Sequence, residues 1–242
     1  MTDPATHGAA ERERRDALYA RFAEHMGDRR NSEVPLGDVL AIIGELAEPN
    51  VTATMTRRAL DDLANHTAAA TATELMHELF GPGRLAGNSA SYDDPQNSFL
   101  YRVIERHLGI PISLSAVALE VAHRLGIPLV GIGVPGHFIV AAPTADGGRT
   151  YFDPFHSGAR HDAASVRGLY EGLTNLTNWR DDFLTPTPAR HMVIRVLNNL
   201  KSIYVRRAEP ANVRWVMHLR SLIPEIGPSE TQQFARLMRH SN

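Results

Sequence analysis

The run from Pro111 to Leu125, PISLSAVALEVAHRL, limits what this chain can fold into more than any other stretch. At helical spacing its apolar residues (Ala116, Val117, Ala118, Leu119, Val121, Ala122 and Leu125) cover nearly the whole circumference. Only Glu120, His123 and Arg124 form a polar stripe, at i, i+3 and i+4. Such a helix is stable only where other elements cover it on most sides. Gly126 supplies its stop.

Beyond Gly126 the apolar runs shorten to strand length. PLVGIGV and HFIVAA are two such runs, PTADGG is a turn with Asp146-Gly147 at its tip, and RTYFDP is the returning run. Strands joined by so short a loop pair antiparallel. With Ala142 set opposite Gly148, His137 falls opposite Asp153. A slip of one residue would send the two side chains to opposite faces.

The remainder reads as helix. Leu18, Phe22 and Met26 share one face of a helix expected from Ala10 to Met26, after a disordered segment over residues 1–10. Further helices are expected over LGDVLAIIGELA, Thr56–Asn65 and Thr71–Leu79, making residues 11–90 a helical subdomain. Ser98 is read as the cap of a helix from Phe99 to Leu108 that Gly109 ends, and Ser113 or Ser115 as the start of the apolar helix. Residues 91–160 form the core unit. Residues 161–242 add HDAASVRGLYEGL, HMVIRVLNNLKSIYVRR and NVRWVMHLRSLI as helices, with a frayed one over SETQQFARLMRHSN. The expected class is α+β, a small antiparallel sheet with helical additions at both ends.

Composition excludes several functions. The 25 basic and 27 acidic residues leave a net charge of −2, which suits neither coating nucleic acid nor binding an anionic membrane. No apolar run reaches transmembrane length, and MTDPATHGAAERERRD is no secretory signal, so the cytoplasm is the expected location. There is no cysteine among the 242 residues, hence no disulfide, thiolate metal site or thiol nucleophile.

The order helix, G-I-P, strand, histidine, strand ending in Asp-Pro resembles the papain-like core of transglutaminases. More closely, DDPQNSFLYRVIERHLGIPISLSAVALEVAHRLGIPLVGIGVPGHFIVAA with YFDPFHSG is similar to the SirB-type transglutaminase-like family, as is RVLNNLKSIYVRR. The resemblance spans roughly residues 35–225 and rests on the PGHF and DPF-x-x-G signatures. It implies a transglutaminase-like fold, with His137 and Asp153 matching the family's histidine and aspartate. It also places the family's cysteine position at Pro111, where SirB-type members share a proline.

A thiol at a helix N-terminus is favoured as thiolate by the helix dipole, histidine takes its proton, and the carboxylate fixes the imidazole. Proline has no nucleophilic atom, so cysteine-type transglutaminase or protease activity is excluded. Ser113 is the nearest hydroxyl. It serves more simply as a helix cap, since two residues of helix turn a side chain by about 200°. His137 reads equally as a structural partner of Asp153 or as a working group. Tyr92, Asn97, Ser115, Phe138 and His156 are candidate binding residues around it, although the polar loop Tyr92, Asp93, Asp94, Asn97 and Ser98 suits helix capping too. His137, Asp153, His156 and His161 are metal-ligating types, but their spacing fits no zinc pattern, so neither metal nor cofactor is expected. Arg195, Asn198, Asn199 and Lys201 read as a solvated or interhelical polar face.

The residues leave three functional readings open. The first is a non-catalytic binding or regulatory protein using the His137/Asp153 cleft, its partner expected to be a protein or peptide. The second is a hydrolase or acyl transferase with His137 as base, Asp153 as orienter, and Ser113 or water as nucleophile. The third is a metal-dependent activity in the same cleft.

Overall fold

The apolar run folds as one helix whose ends the sequence specifies. The computed structural model describes residues 4–28 and 34–226. Within them, in chain order, are α1 (Pro4–Met26), α2 (Leu36–Ala47), α3 (Ala53–Asn65), α4 (Ala72–Phe80), β1 (Ala86–Gly87), α5 (Leu100–Arg106) and β2 (Leu108–Gly109). The central helix α6 (Pro111–Leu125) comes next, then β3 (Val130–Ile132), β4 (Ile139–Pro143), β5 (Arg149–Asp153) and β6 (Ala159–His161). Helices α7 (Ala163–Thr174), α8 (Ala189–Arg206) and α9 (Pro210–Ser221) follow the sheet. The class is α+β, as expected. The frayed helix expected over SETQQFARLMRHSN lies outside the described residues.

Helix α6 begins at Pro111, whose fixed φ suits a first helical position and whose missing N–H costs nothing there. It ends in a Schellman motif. Gly126 takes φ 69°, the Ile127 N–H donates to the Ala122 carbonyl at 2.9 Å, and the Gly126 N–H donates to the His123 carbonyl at 3.2 Å. From Pro111 to Ala118 every residue is buried, with Val121 and Ala122 beyond them. Each such valine or leucine removed from water contributes roughly 1.5–3 kcal/mol, which is why the other elements gather on this helix.

β3, β4, β5 and β6 form one antiparallel sheet in that order. Phe138, Val140, Ala142 and Phe152 join the core around α6, while Ile132, Ile139, Ala141 and Tyr151 pack with Val166 and Tyr170 of α7. Both faces are thus covered, so β4 reads as an unbroken apolar run rather than an alternating one. β1 and β2 make a separate two-residue parallel ladder. The β4–β5 connection, Thr144–Gly148, is an exposed loop turned at Gly147, which has φ 83°. No helix among the described residues is long and apolar enough to cross a membrane.

The register differs from the one expected. Ala142 pairs with Thr150, not Gly148, and the ladder continues through Ala141 with Tyr151 and Val140 with Phe152. Extended one step, Asp153 lies across from Ile139, two residues from His137. A two-residue shift preserves the face, so the two side chains still meet, now as diagonal neighbours.

Several boundaries move for local reasons. α1 starts at Pro4, because proline suits a helix's first turn and the following alanine, glutamate and arginine residues are good helix formers. α3 starts at Ala53 under a Thr52 cap. Ser98 caps nothing: Asp94 caps a 3₁₀ turn over Pro95–Ser98, and α5 begins after it with Phe99 at its N-cap position. His107, in the left-handed region, ends α5 before Gly109 is reached. Ser113 is not an N-cap but the third residue of α6, because Pro111 takes the first position.

Candidate functional site

Two short turns bring the site together. Val134 to His137 form a type II turn: Pro135 precedes Gly136 at φ 80°, and the His137 N–H donates to the Val134 carbonyl at 2.9 Å. This turn presents His137 at the entrance to β4. On the other side, Asp153 ends β5 and caps a 3₁₀ turn over Pro154–His156. Its Oδ1 accepts from the N–H groups of Phe155 (3.0 Å) and His156 (3.3 Å). In a 3₁₀ turn residues three apart eclipse, so His156 folds back over Asp153.

The second carboxylate oxygen is shared. His137 Nε2–H and His156 Nδ1–H each donate to Asp153 Oδ2, both at 2.7 Å. The two histidines differ in exposure. The His137 side chain is 3% exposed and Asp153 fully buried, whereas 53% of the His156 side chain faces solvent. Burial alone would push the Asp153 carboxyl up. The hydrogen bonds and positive character of His137, then of His156, outweigh it and hold the carboxyl below its ordinary value. Asp153 is therefore a carboxylate that only accepts, and both imidazoles orient their N–H toward it.

Phe155 walls the cluster. Its ring stands edge-on to His137 (6.1 Å), His156 (5.1 Å) and the half-exposed Tyr92 (6.1 Å). Beneath it lies Gly87 of β1, where a β-carbon would sit 2.6 Å from the Phe155 ring and from its carbonyl oxygen. Only glycine fits there, so the small parallel ladder sets how deeply Phe155 can seat.

Behind the histidine is Arg195 of α8. Its Nη2 donates to the carbonyls of His137 (3.0 Å) and Val134 (3.4 Å), and its guanidinium lies 5.2 Å from the Phe138 ring centroid. No ion pair to Arg195 occurs among the described residues, and burial lowers its pKa, with Tyr92 pulling weakly the other way.

The remaining candidates serve the fold. The fully buried Ser113 hydroxyl donates toward the Asn97 carbonyl at 2.5 Å and lies 3.1 Å from the Ile110 carbonyl and N–H. Ser115 Oγ donates to the Phe138 carbonyl at 3.4 Å. Asn97 is fully buried, accepting from Asn88 Nδ2 (3.0 Å) and donating to the Ser91 carbonyl (2.8 Å). Phe138 is a core residue under Arg195. The structure thus joins His137, Asp153 and His156, with Tyr92 at the rim, and keeps Ser113, Ser115 and Asn97 on backbone and amide partners. His161 lies on β6 opposite Tyr151, outside the cluster.

Two residues of the site give no sign of their role in the sequence. Arg195 is not part of a solvated face; its partners are carbonyl oxygens, which leave no charge pattern in a sequence. Phe155 stands inside the DPF signature, but nothing there marks its ring as the contact between both histidines.

A family model described as the transglutaminase-like superfamily matches residues 45–198. A UPF0162 protein of Xylella fastidiosa is 43% identical over 130 residues, 52% of this chain and 46% of that protein. A UPF0162 protein of Pseudomonas aeruginosa is 37% identical over 164 residues, 63% and 58% of the two chains. Mouse F-box only protein 21 is 35% identical over 66 residues, 27% of this chain and 10% of that one. The matches therefore span about half the length of the bacterial relatives. No solved structure matches the chain.

Proposed function

The chain belongs to the transglutaminase-like superfamily, and on that footing we propose that it is a non-catalytic member of the SirB-type group that binds a protein or peptide in the cleft around His137, Asp153 and His156. The observation that carries this reading is the start of α6. A superfamily nucleophile would be a cysteine there, and this chain has Pro111 at the first helical position and no cysteine anywhere. A proline offers no atom to acylate, and the nearest hydroxyls, on Ser113 and Ser115, are directed at backbone oxygens.

The rim suits a peptide. Tyr92 and Phe155 offer aromatic surface, and the exposed edge of His156 offers a polar contact. The intact His137–Asp153 bond also keeps an enzymatic alternative in view, in which His137 activates water for hydrolysis or acyl transfer.

Panning a random peptide library against the full chain, with a Tyr92→Ala, His156→Ala variant as counter-selection, tests the binding reading. Peptides that bind the wild type and lose at least about tenfold in affinity on the variant are expected, as truncated interface anchors give losses of that order. A parallel assay of ester and amide substrates decides the alternative. Turnover that disappears in His137→Ala would replace the binding reading with the hydrolase one.

A further inference from the structure

We propose that His137 Nε2, Asp153 Oδ2 and His156 Nδ1 form a binding site for one divalent transition ion, of the class of Zn²⁺, Co²⁺ or Ni²⁺. This deepens the proposed function, resting on its view of the cleft as a ligand site rather than a nucleophile's pocket.

The three donor atoms lie within 4.8 Å of one another. Two imidazoles and one carboxylate are the donor set that borderline ions take, and three protein ligands leave a coordination position for water or a ligand group. Calcium and magnesium suit the site poorly, since they require six or more oxygens. The carboxylate is preset for the task. Its Oδ1 is held by the Phe155 and His156 N–H groups, which leaves Oδ2 as the oxygen facing both rings. Ligand carboxylates and imidazoles are tuned by outer hydrogen bonds of this kind.

The ring nitrogens now sit 2.7 Å from Oδ2. Around an ion with bonds of 2.0–2.2 Å, adjacent donors stand roughly 3.3 Å apart, so each ring withdraws from Oδ2 by about half an ångström while the two ring nitrogens, within 4.8 Å of each other, settle to the same spacing. His156 can do this: its side chain is half exposed and rides on a three-residue 3₁₀ turn. The His137 backbone is fixed by its turn and by Arg195 on its carbonyl, so its ring adjusts by side-chain rotation alone. An ion would enter from the His156 side, beside Phe155 and Tyr92, and its open position would face the proposed peptide.

The test uses the full chain, stripped of metal and titrated with Zn²⁺ by calorimetry and with Co²⁺ by visible absorption. One ion per chain is expected, with absorption bands of nitrogen- and oxygen-bound Co²⁺. His156→Ala, at an exposed position where folding is retained, should weaken Zn²⁺ binding at least about tenfold. His161→Ala should leave it unchanged. No ion bound by the wild type, or binding indifferent to His156→Ala, would overturn the proposal. Peptide affinity measured with and without Zn²⁺ separates the two ideas. Peptide binding without ion binding defeats the metal site alone; ion binding without any peptide defeats the peptide reading alone.

Discussion

His137 and His156 are hydrogen-bonded to a single atom, Oδ2 of Asp153, and they meet it from opposite environments, one ring sealed in the fold and the other half in solvent. The carboxylate is consequently the one group on which the whole cluster depends, since its other oxygen also holds two backbone N–H groups.

Asp153→Ala therefore leaves the buried His137 N–H and the Phe155 N–H without their acceptor. The expected loss is about 2–4 kcal/mol of unfolding free energy, in the range for unpaired buried polar groups. Asp153→Asn keeps one acceptor oxygen and should lose less. Urea denaturation of the three proteins at neutral pH gives the comparison, and equal stability of wild type and Asp153→Ala would contradict it.

The same carboxylate sets a pH dependence. Its pKa is held below the ordinary value in the fold, so the unfolded chain binds the proton more readily. The stability it contributes is complete above its unfolded pKa of about 3.9 and is lost as pH falls through the lower folded value. Thermal melts from neutral pH down to about pH 3 should show a steeper acid decline for the wild type than for Asp153→Asn. Parallel curves would assign the decline to other acids.

At the start of α6, Pro111→Cys should fold, because a first helical position tolerates residues other than proline. Its thiol should titrate below the ordinary value of about 8.5, with the helix dipole outweighing the opposing effect of burial at that position. If His137 faces that end of the helix, adding His137→Ala raises the midpoint. Ultraviolet absorption of the thiolate against pH reads both without requiring a reagent to reach the buried position. The expected result is a low midpoint that rises in the double variant; an unmoved midpoint would mean that the dyad and the helix start are uncoupled.

Arg195→Ala removes two hydrogen bonds to the turn that presents His137 and the cation over Phe138. Part of that gain is offset by the cost of burying the guanidinium, so a net loss of about 1–2 kcal/mol is expected. Amide exchange at His137 should quicken, since its N–H closes the turn. Arg195→Lys should not restore slow exchange, because an ammonium cannot span two carbonyls and stack on a ring.

Much of the fold is readable from pattern. The continuous apolar surface of α6, the strand-length runs after it and the turn residues at Pro135-Gly136 and Gly147 each have one local reading, and together they give the α+β class. The His137–Asp153 meeting is readable only up to parity: Ala142 pairs two residues further along than turn length suggests, and the pairing survives because an even shift keeps the face. β1, β2 and β6 are two or three residues long and have no room for a period. Arg195 is hidden for another reason. A cation that pairs with carbonyl oxygens looks in sequence like a cation that pairs with water. The role of His156 depends on an eclipsed 3₁₀ turn, which the Asp-Pro-Phe-His order permits but does not dictate.

The loop Thr144–Gly148 is exposed, closed by its own hydrogen bonds, and ends five residues before Asp153, roughly 16 Å at strand rise. Everything that fixes the dyad lies at the opposite end of that hairpin. The loop is accordingly a handle on the site: a small fluorescent or affinity insert spliced between Asp146 and Gly147 would ride on the strands that carry Asp153 without touching it. Occupancy of the cleft could then be read from within the protein, with the hairpin as the lever arm.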